Sequence, residues 1–322
     1  MFSICPICQN GTLLPLKKQS RDYITNKSFP LVQCQSCECV ITEVANCSTF
    51  NAHYGDIYYN SPKGKFSPIL EKIFRWNHQR NAKKLYERWR PRNILEIGCG
   101  RAYLLRELKE LGVDVFALES NAAAEWILTN DAVNVVSISD AHTDEWPFAP
   151  SFFKFVIYWH VLEHLADPGE SLKQAKKVLE DEGILCVSIP NVSSYQARMG
   201  LTTWFHLDVP RHLFHFSRKG IVQLLEQSGF QVIDIRSGDF IQNLYGWFQS
   251  LANIVTPNNC NGLYRLMQGG QPLRTASKIS VAVQLLTAVI WVPIGIIGCL
   301  VEAITKNYGN ITVYARKSEK DK

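Results

Sequence analysis

The 322 residues contain no internal repeat and no low-complexity segment, which excludes a repeat architecture. Surplus charge is also scarce: 34 Lys and Arg face 29 Asp and Glu, and the net +5 permits an anionic membrane surface or a nucleic acid as partner while arguing for neither. No basic-then-apolar run follows Met1, so a secretory leader is not expected. The ten cysteines then read as metal ligands and buried thiols of a cytosolic protein, not as disulfides. With 46% hydrophobic residues the chain suits one large globular domain plus appendages.

Four of those cysteines stand in two knuckles, Cys5-Pro-Ile-Cys8 and Cys34-Gln-Ser-Cys37, 25 residues apart. Two such turns offer four thiolates to a tetrahedral zinc ion, which can hold together a segment too small for its own core. Four thiolates leave no open coordination position, so the expected role is structural. Cys39 and Cys47 are spares, and Cys39 competes with Cys37 as fourth ligand. Lys17, Lys18, Arg21 and Lys27 make the intervening loop basic, without the dense aromatic and basic face of a nucleic-acid grip. Residues 1–47 are thus a zinc ribbon and 48–68 a linker rich in Asn, Tyr, Gly, Ser and Pro. A helical pattern runs from Ile69 to Trp89 and is stopped by Pro91.

The chain commits itself in the stretch NILEIGCGRAYLLRELKELGVDVFALE, from Asn93 to Glu119. Ile94, Leu95 and Ile97 suit a buried parallel strand, Gly98-Cys99-Gly100 a tight turn, and Leu104, Leu105, Leu108 and Leu111 a helix that Gly112 ends. Val113 to Leu118 is a second buried strand closed by Glu119. A turn without Cβ atoms lets a ligand reach the backbone and the helix start, and a carboxylate at the next strand tip accepts ribose hydroxyls. Glu119 follows Gly98 by 21 residues, but the third glycine of the dinucleotide fingerprint is missing and an acid, Glu96, precedes the turn.

This E-x-G-x-G pattern with an acid ending the second strand resembles the class I S-adenosylmethionine (SAM) methyltransferases. The resemblance implies a doubly wound α/β, Rossmann-like sheet of seven strands, the last antiparallel and inserted between strands five and six. It also implies that Glu96, Gly98 and Gly100 face the methionine and sugar part of SAM and that Glu119 holds the ribose. Strand three is expected over Val133 to Ile138, with Asp140 as the adenine-side acid or a plain turn aspartate. Lys154 stands where the family usually has aspartate before strand four, Phe155 to Trp159.

His160-Val-Leu-Glu-His164 follows that strand and resembles the V-L-E-H segment of sugar, quinone-precursor and RNA-end methyltransferases. As a bare pattern, H-x-x-E-H is also a zinc-protease motif, but its place at a strand end argues against that. His160, Glu163 and His164 would share a helical face, bind a second divalent metal or act as base, or else only orient the loop. Helix Ser171 to Leu179, ended by Gly183, and strand Ile184 to Ile189 with Pro190-Asn191 come next, and the Pro-Asn ending again resembles the family. In the loop from Trp204 to Ser217, His206, Asp208, Arg211 and His212 are candidates for lining a substrate cleft, by taking a proton or pairing with an anion. A helix from Ser217 to Ser228 and strands Phe230 to Ile235 and Ile311 to Ala315 complete the core.

Residues 240–306 form an insertion in which Val281 to Val301 carries no charge. Twenty-one residues at about 1.5 Å each are long enough for a bilayer, yet strands six and seven must meet on one side. The segment therefore dips in and returns, with Pro293, Gly295 and Gly298 as the bend, or lies along the interface, or packs on protein. Basic residues at both flanks, among them Lys278 and Lys306, suit a cytoplasmic membrane face. The expected boundaries are 1–47, 48–68, 69–239, 240–306 and 307–322. The expected function is methylation of a small-molecule or lipid-linked acceptor, a glycan sugar or a quinone precursor. An RNA methyltransferase gripping RNA through its ribbon and a non-catalytic membrane scaffold are the alternatives.

Overall fold

The computed structural model describes residues 4–44, 68–119, 133–137, 141, 145–267 and 275–319. They form two compact units, one of Met1–Glu71, Pro190–Ile221 and Ser237–Ile311, the other of Lys72–Ile189, Val222–Arg236 and Thr312–Lys322. The first opens with five short strands, β1 (Leu13–Pro15), β2 (Ser20–Arg21), β3 (Ser28–Phe29), β4 (Leu31–Cys34) and β5 (Val40–Thr42). Helix α1 (Pro68–Trp89) leads into the second unit. There follow β6 (Asn93–Ile97), α2 (Tyr103–Glu110), β7 (Asp114–Glu119), β8 (Asn134–Ser137), β9 (Phe153–Trp159), α3 (Pro168–Val178) and β10 (Leu179–Pro190). Helix α4 (Tyr195–Gly200) and strand β11 (Phe214–His215) belong to the first unit, and α5 (Arg218–Gln227) leads back to the second through β12 (Phe230–Ser237). Helices α6 (Phe240–Val255), α7 (Gly262–Met267) and α8 (Thr275–Thr305) lie in the first, and β13 (Asn310–Lys317) ends the second.

Among the described residues the second unit holds a seven-stranded sheet in the order β12-β13-β10-β9-β6-β7-β8. Every residue of β6 is buried, as a central parallel strand covered on both faces requires. It pairs in parallel with β9, Ile97 beside Tyr158, and with β7, Ile97 beside Leu118, so the three strands end together at one rim. Strand β13 lies between β12 and β10, and its antiparallel run shows in the bonds Gly238 N–H to Asn310 O and Ser318 N–H to Gly229 O. This is the doubly wound methyltransferase-type sheet that the sequence resemblance implies.

Helix α2 presses Leu104, Leu105 and Leu108 onto the sheet, each worth about 1.5–3 kcal/mol of burial. Helix α3 starts where Asp167 accepts the Glu170 amide at 2.9 Å and Pro168 presets the first turn. It ends at Val178, earlier than the spacing predicts. Residues 179–183 already belong to β10, whose register against β9 shifts between Leu179 and Ile184. Gly183 is therefore no helix stop: a Cβ there would lie 2.7 Å from the Leu179 side chain.

In the first unit, β11 adds to the ribbon to give the sheet β1-β4-β5-β11, with Phe214 beside Ile41. Leu31 and Val40 of the ribbon pack with Ala197, Trp204, Leu207 and Val209 in one buried cluster. The ribbon thus closes its core with a chain segment some 160 residues away. Of the three courses open to this segment, helix α8 removes the bend, because it runs unbroken for 31 residues through Pro293. Its glycines serve close packing instead: a Cβ at Gly298 would sit 2.6 Å from the Trp247 ring of α6.

Candidate cofactor turn and cysteine centre

At the rim where β6, β7 and β9 end, Gly98 and Gly100 take φ of +64° and +55°, conformations costly for any residue with a Cβ. The Gly98 amide bonds to Leu118 O at 2.7 Å, and a Cβ there would meet Val161 at 2.7 Å. At Gly100 none of the described residues lies within 4 Å of the equivalent point, so the backbone faces open space among them. Glu119, at the tip of β7, accepts the Gly100 amide at 2.6 Å. Its carboxylate is aimed at the turn before any ligand arrives.

Glu96 sits on β6 directly before the turn and is 4% exposed. Its Oε2 is buried without a hydrogen-bond partner. Burial, with the Glu119 charge adding to it, pushes its carboxyl up to about 8. Two acids and an orphaned oxygen beside an open glycine turn make a cradle for a cationic ligand that also carries hydroxyls. Desolvation, with the charges of Glu96 and Glu119 beside it, raises the Cys99 thiol well above its ordinary value.

His160 follows β9 with a left-handed φ of 56°, its amide bonded to Ser188 O at 2.9 Å. A single 3₁₀ turn, Leu162–His164, comes next. The expected helical face of His160, Glu163 and His164 is absent, because the left-handed residue breaks the periodicity that would align them. What the turn does bring together is His160 Nδ1 and Glu163 Oε1, 3.5 Å apart, with Glu163 1% exposed. Val161 between them packs on Gly98, tying this loop to the glycine turn. Asp140 lies outside the described residues.

The remaining expected site residues lie in the other unit and have structural work there. Arg211, 1% exposed, donates to Asp22 at 3.1 Å and to Asp208 at 2.9 Å, with the Tyr23 ring 4.7 Å away. His206 is buried with Nε2 3.3 Å from the Asn310 side-chain nitrogen, and its carbonyl meets His212 Nδ1 at 2.8 Å. Thr42 Oγ1 donates to His212 O at 2.8 Å and lies 2.9 Å from His215 Nε2. Asp22 and Val161 escaped the sequence reading. Asp22 opens an Asp-x-x-Thr turn, accepting the Ile24 and Thr25 amides, and nothing local announces its distant arginine.

Cys5, Cys8, Cys34 and Cys37 converge, with their sulfurs all within 4.8 Å of one another. The Cys5–Cys37 and Cys8–Cys34 separations are 3.7 and 3.6 Å. A tetrahedron built on zinc–sulfur bonds of about 2.3 Å has edges of about 3.8 Å, so the four fit zinc. The amides of Ser36 and Cys37 point at Cys34 Sγ, both at 3.4 Å, as thiolate acceptors require. Cys39 is not among these four converging sulfurs, and its sulfur accepts the Ser217 amide at 3.4 Å.

The chain is 26% identical over 160 residues to a Mycolicibacterium smegmatis protein named as an S-adenosylmethionine-dependent methyltransferase, covering 49% of this chain and 59% of that one. It is 29% identical over 165 residues to a ubiquinone biosynthesis O-methyltransferase of Caulobacter vibrioides, covering 46% and 62%. The matched stretches thus span about three fifths of these curated relatives. A solved SAM-dependent methyltransferase of Archaeoglobus fulgidus superposes loosely, with a TM-score of 0.46 and 17% identity over 77% of this chain and 98% of that one. The profile described as a methyltransferase domain matches residues 70–235, more than half of the sequence and the whole of the glycine-turn rim, and the chain belongs to that family.

Proposed function

We propose that the protein is a SAM-dependent methyltransferase acting on a small-molecule or lipid-linked acceptor, a glycan sugar or a quinone-like precursor, at the cytoplasmic face of a membrane. The observation that carries this reading is the turn itself: Glu119 bonded to the Gly100 amide, with the buried, unpartnered oxygen of Glu96 beside it. Glu96 would face the cationic methionine end of SAM, the Gly98–Gly100 backbone would let it approach closely, and Glu119 would take the ribose hydroxyls. When bound, SAM supplies a methyl group on a sulfonium leaving group. The chain's own work is then to position the acceptor and remove its proton. His160 is the base this reading assigns, with Glu163 holding the ring through Nδ1. The four cysteines hold a structural zinc that fastens the ribbon.

Relatives named for ubiquinone biosynthesis support a small organic acceptor, and an apolar helix long enough for a membrane, Lys278–Thr305, supports a lipid-borne one. Incubation with tritiated SAM and either a lipid extract or total RNA tests the assignment. Label is expected in the organic phase, reduced about 100-fold or more by His160→Ala. Label partitioning with RNA would replace the reading by the RNA-methylating one.

A further inference from the structure

Helix α8 is built inside out. Its residues turned towards α6 and α7 include polar ones, Gln284 and Glu302, each 0% exposed, while Leu286, Val289 and Ile304 are 78%, 76% and 82% exposed. The inward side chains are bonded, Glu302 through Oε2 alone. Gln284 donates to Thr256 Oγ1 at 2.7 Å and accepts the Leu263 amide at 3.0 Å, and Glu302 accepts from Asn243 at 2.6 Å. Gly295 and Gly298 lie against Trp247. Small residues and hydrogen-bonded polar side chains inside, with branched aliphatics outside, is how a helix is composed when its outer solvent is hydrocarbon.

The same contacts say how such a helix would lie. The α7 end of the insertion is bonded to the ribbon, Arg265 to Tyr23 O at 3.1 Å with the Tyr264 and Tyr23 rings 6.3 Å apart. The residues after α8 are held by Asn191, which donates to Tyr308 O at 3.0 Å and Gly309 O at 2.8 Å. A helix crossing a bilayer would carry its far end, and the ribbon bonded there, to the opposite side. Fastened at both ends, α8 can only lie flat. Its apolar exposed face runs from Ile279 to Ile304, about 39 Å at 1.5 Å per residue. It takes in roughly 200° of the circumference at 3.6 residues per turn. A second helix covers a stripe roughly half that wide, whereas lipid covers all of it. Exposed Lys278 and Lys306 flank the face, and no charged residue lies on it between them.

We infer that the outer face of α8 is a lipid-docking surface, seated in one leaflet with the helix in the membrane plane and Lys278 and Lys306 in an anionic headgroup layer. This deepens the membrane contact of the proposed function and stands independently of the methyl transfer. The acceptor would be met at the leaflet surface and need not leave it.

Flotation of the full-length protein with phosphatidylcholine vesicles, with or without phosphatidylglycerol, tests the inference. The wild type is expected to float, more completely with the anionic lipid. L286E/I297E is expected to lower the bound fraction at least tenfold, while cooperative melting and S-adenosylhomocysteine binding stay unchanged. K278E/K306E is expected to erase the preference for anionic vesicles. Folded wild type that stays at the bottom of the gradient overturns the inference, as does equal flotation of L286E/I297E. A wild-type dimer that does not float and that L286E/I297E separates into monomers assigns the face to a second copy instead. Wild type that floats but binds no S-adenosylhomocysteine would overturn the cofactor reading alone.

Discussion

Glu96 is the residue on which the chemistry of the turn shows most directly. Without a ligand its carboxyl is pushed up to about 8, by burial first and by Glu119 second, against 4.5 for an unperturbed glutamate. A folded-state pKa raised above the unfolded value means the folded protein holds the proton more tightly. Stability from this group is then complete below about 4.5 and is lost as pH rises towards about 8. Glu96→Gln keeps the neutral form throughout. It is therefore expected to match the ligand-free wild type in thermal unfolding at pH 4.5 and to become progressively more stable up to pH 8, by at most about 1.4 kcal/mol per pH unit. The same variant should bind SAM more weakly, because the anion that a cationic ligand would recruit is gone. Equal melting curves at pH 8 would mean that Glu96 is solvated and not the buried acid described. The turn acid and glycines were legible in the sequence because positive φ and close ligand approach select residue types at fixed spacing. The His160 geometry was not, since a left-handed histidine leaves no periodic trace.

Among elements, the ribbon shows how a small module is completed from a distance. Strand β11 extends its sheet, and Arg211, three residues before it, bonds Asp22 in the β2–β3 turn. A buried arginine between two carboxylates is costly to break, because removing one partner leaves the other charge stranded. Arg211→Ala is expected to cost about 3–5 kcal/mol in urea unfolding, and Asp22→Asn less, since Asp208 still pairs the guanidinium. A change below 1 kcal/mol for Arg211→Ala would show the network to be incidental. The two cysteine knuckles were readable from spacing alone, whereas Arg211 read as a substrate ligand because its partner lies 189 residues away. For α8, composition marked an apolar segment of membrane length but could not choose among bend, interface and core. That choice depends on Trp247, which takes up the glycines the sequence offered as a hinge.

At the scale of the whole molecule, the chain joins two units of different character. One carries the mixed, mostly parallel sheet and the glycine turn, the other a cysteine centre and a helix turned apolar side out. Strand order and the rim that carries the glycine turn followed from buried runs, turn glycines and a single resemblance, since a doubly wound sheet leaves few topologies for that pattern. The interleaving of the units along the chain was not legible, because their boundaries at Pro190, Ser237 and Ile311 are set by packing and not by any linker in the sequence. The central claim is that the turn between Glu96 and Glu119 binds the SAM nucleoside. Calorimetric titration with S-adenosylhomocysteine of the wild type, Gly100→Ala and Glu119→Ala tests it most directly. Micromolar binding is expected for the wild type, weakened at least tenfold by a Cβ at the open face of the turn and lost when the ribose-side acid is removed. Well-folded wild-type protein that binds no S-adenosylhomocysteine, or Glu119→Ala that binds it as tightly as wild type, would contradict it.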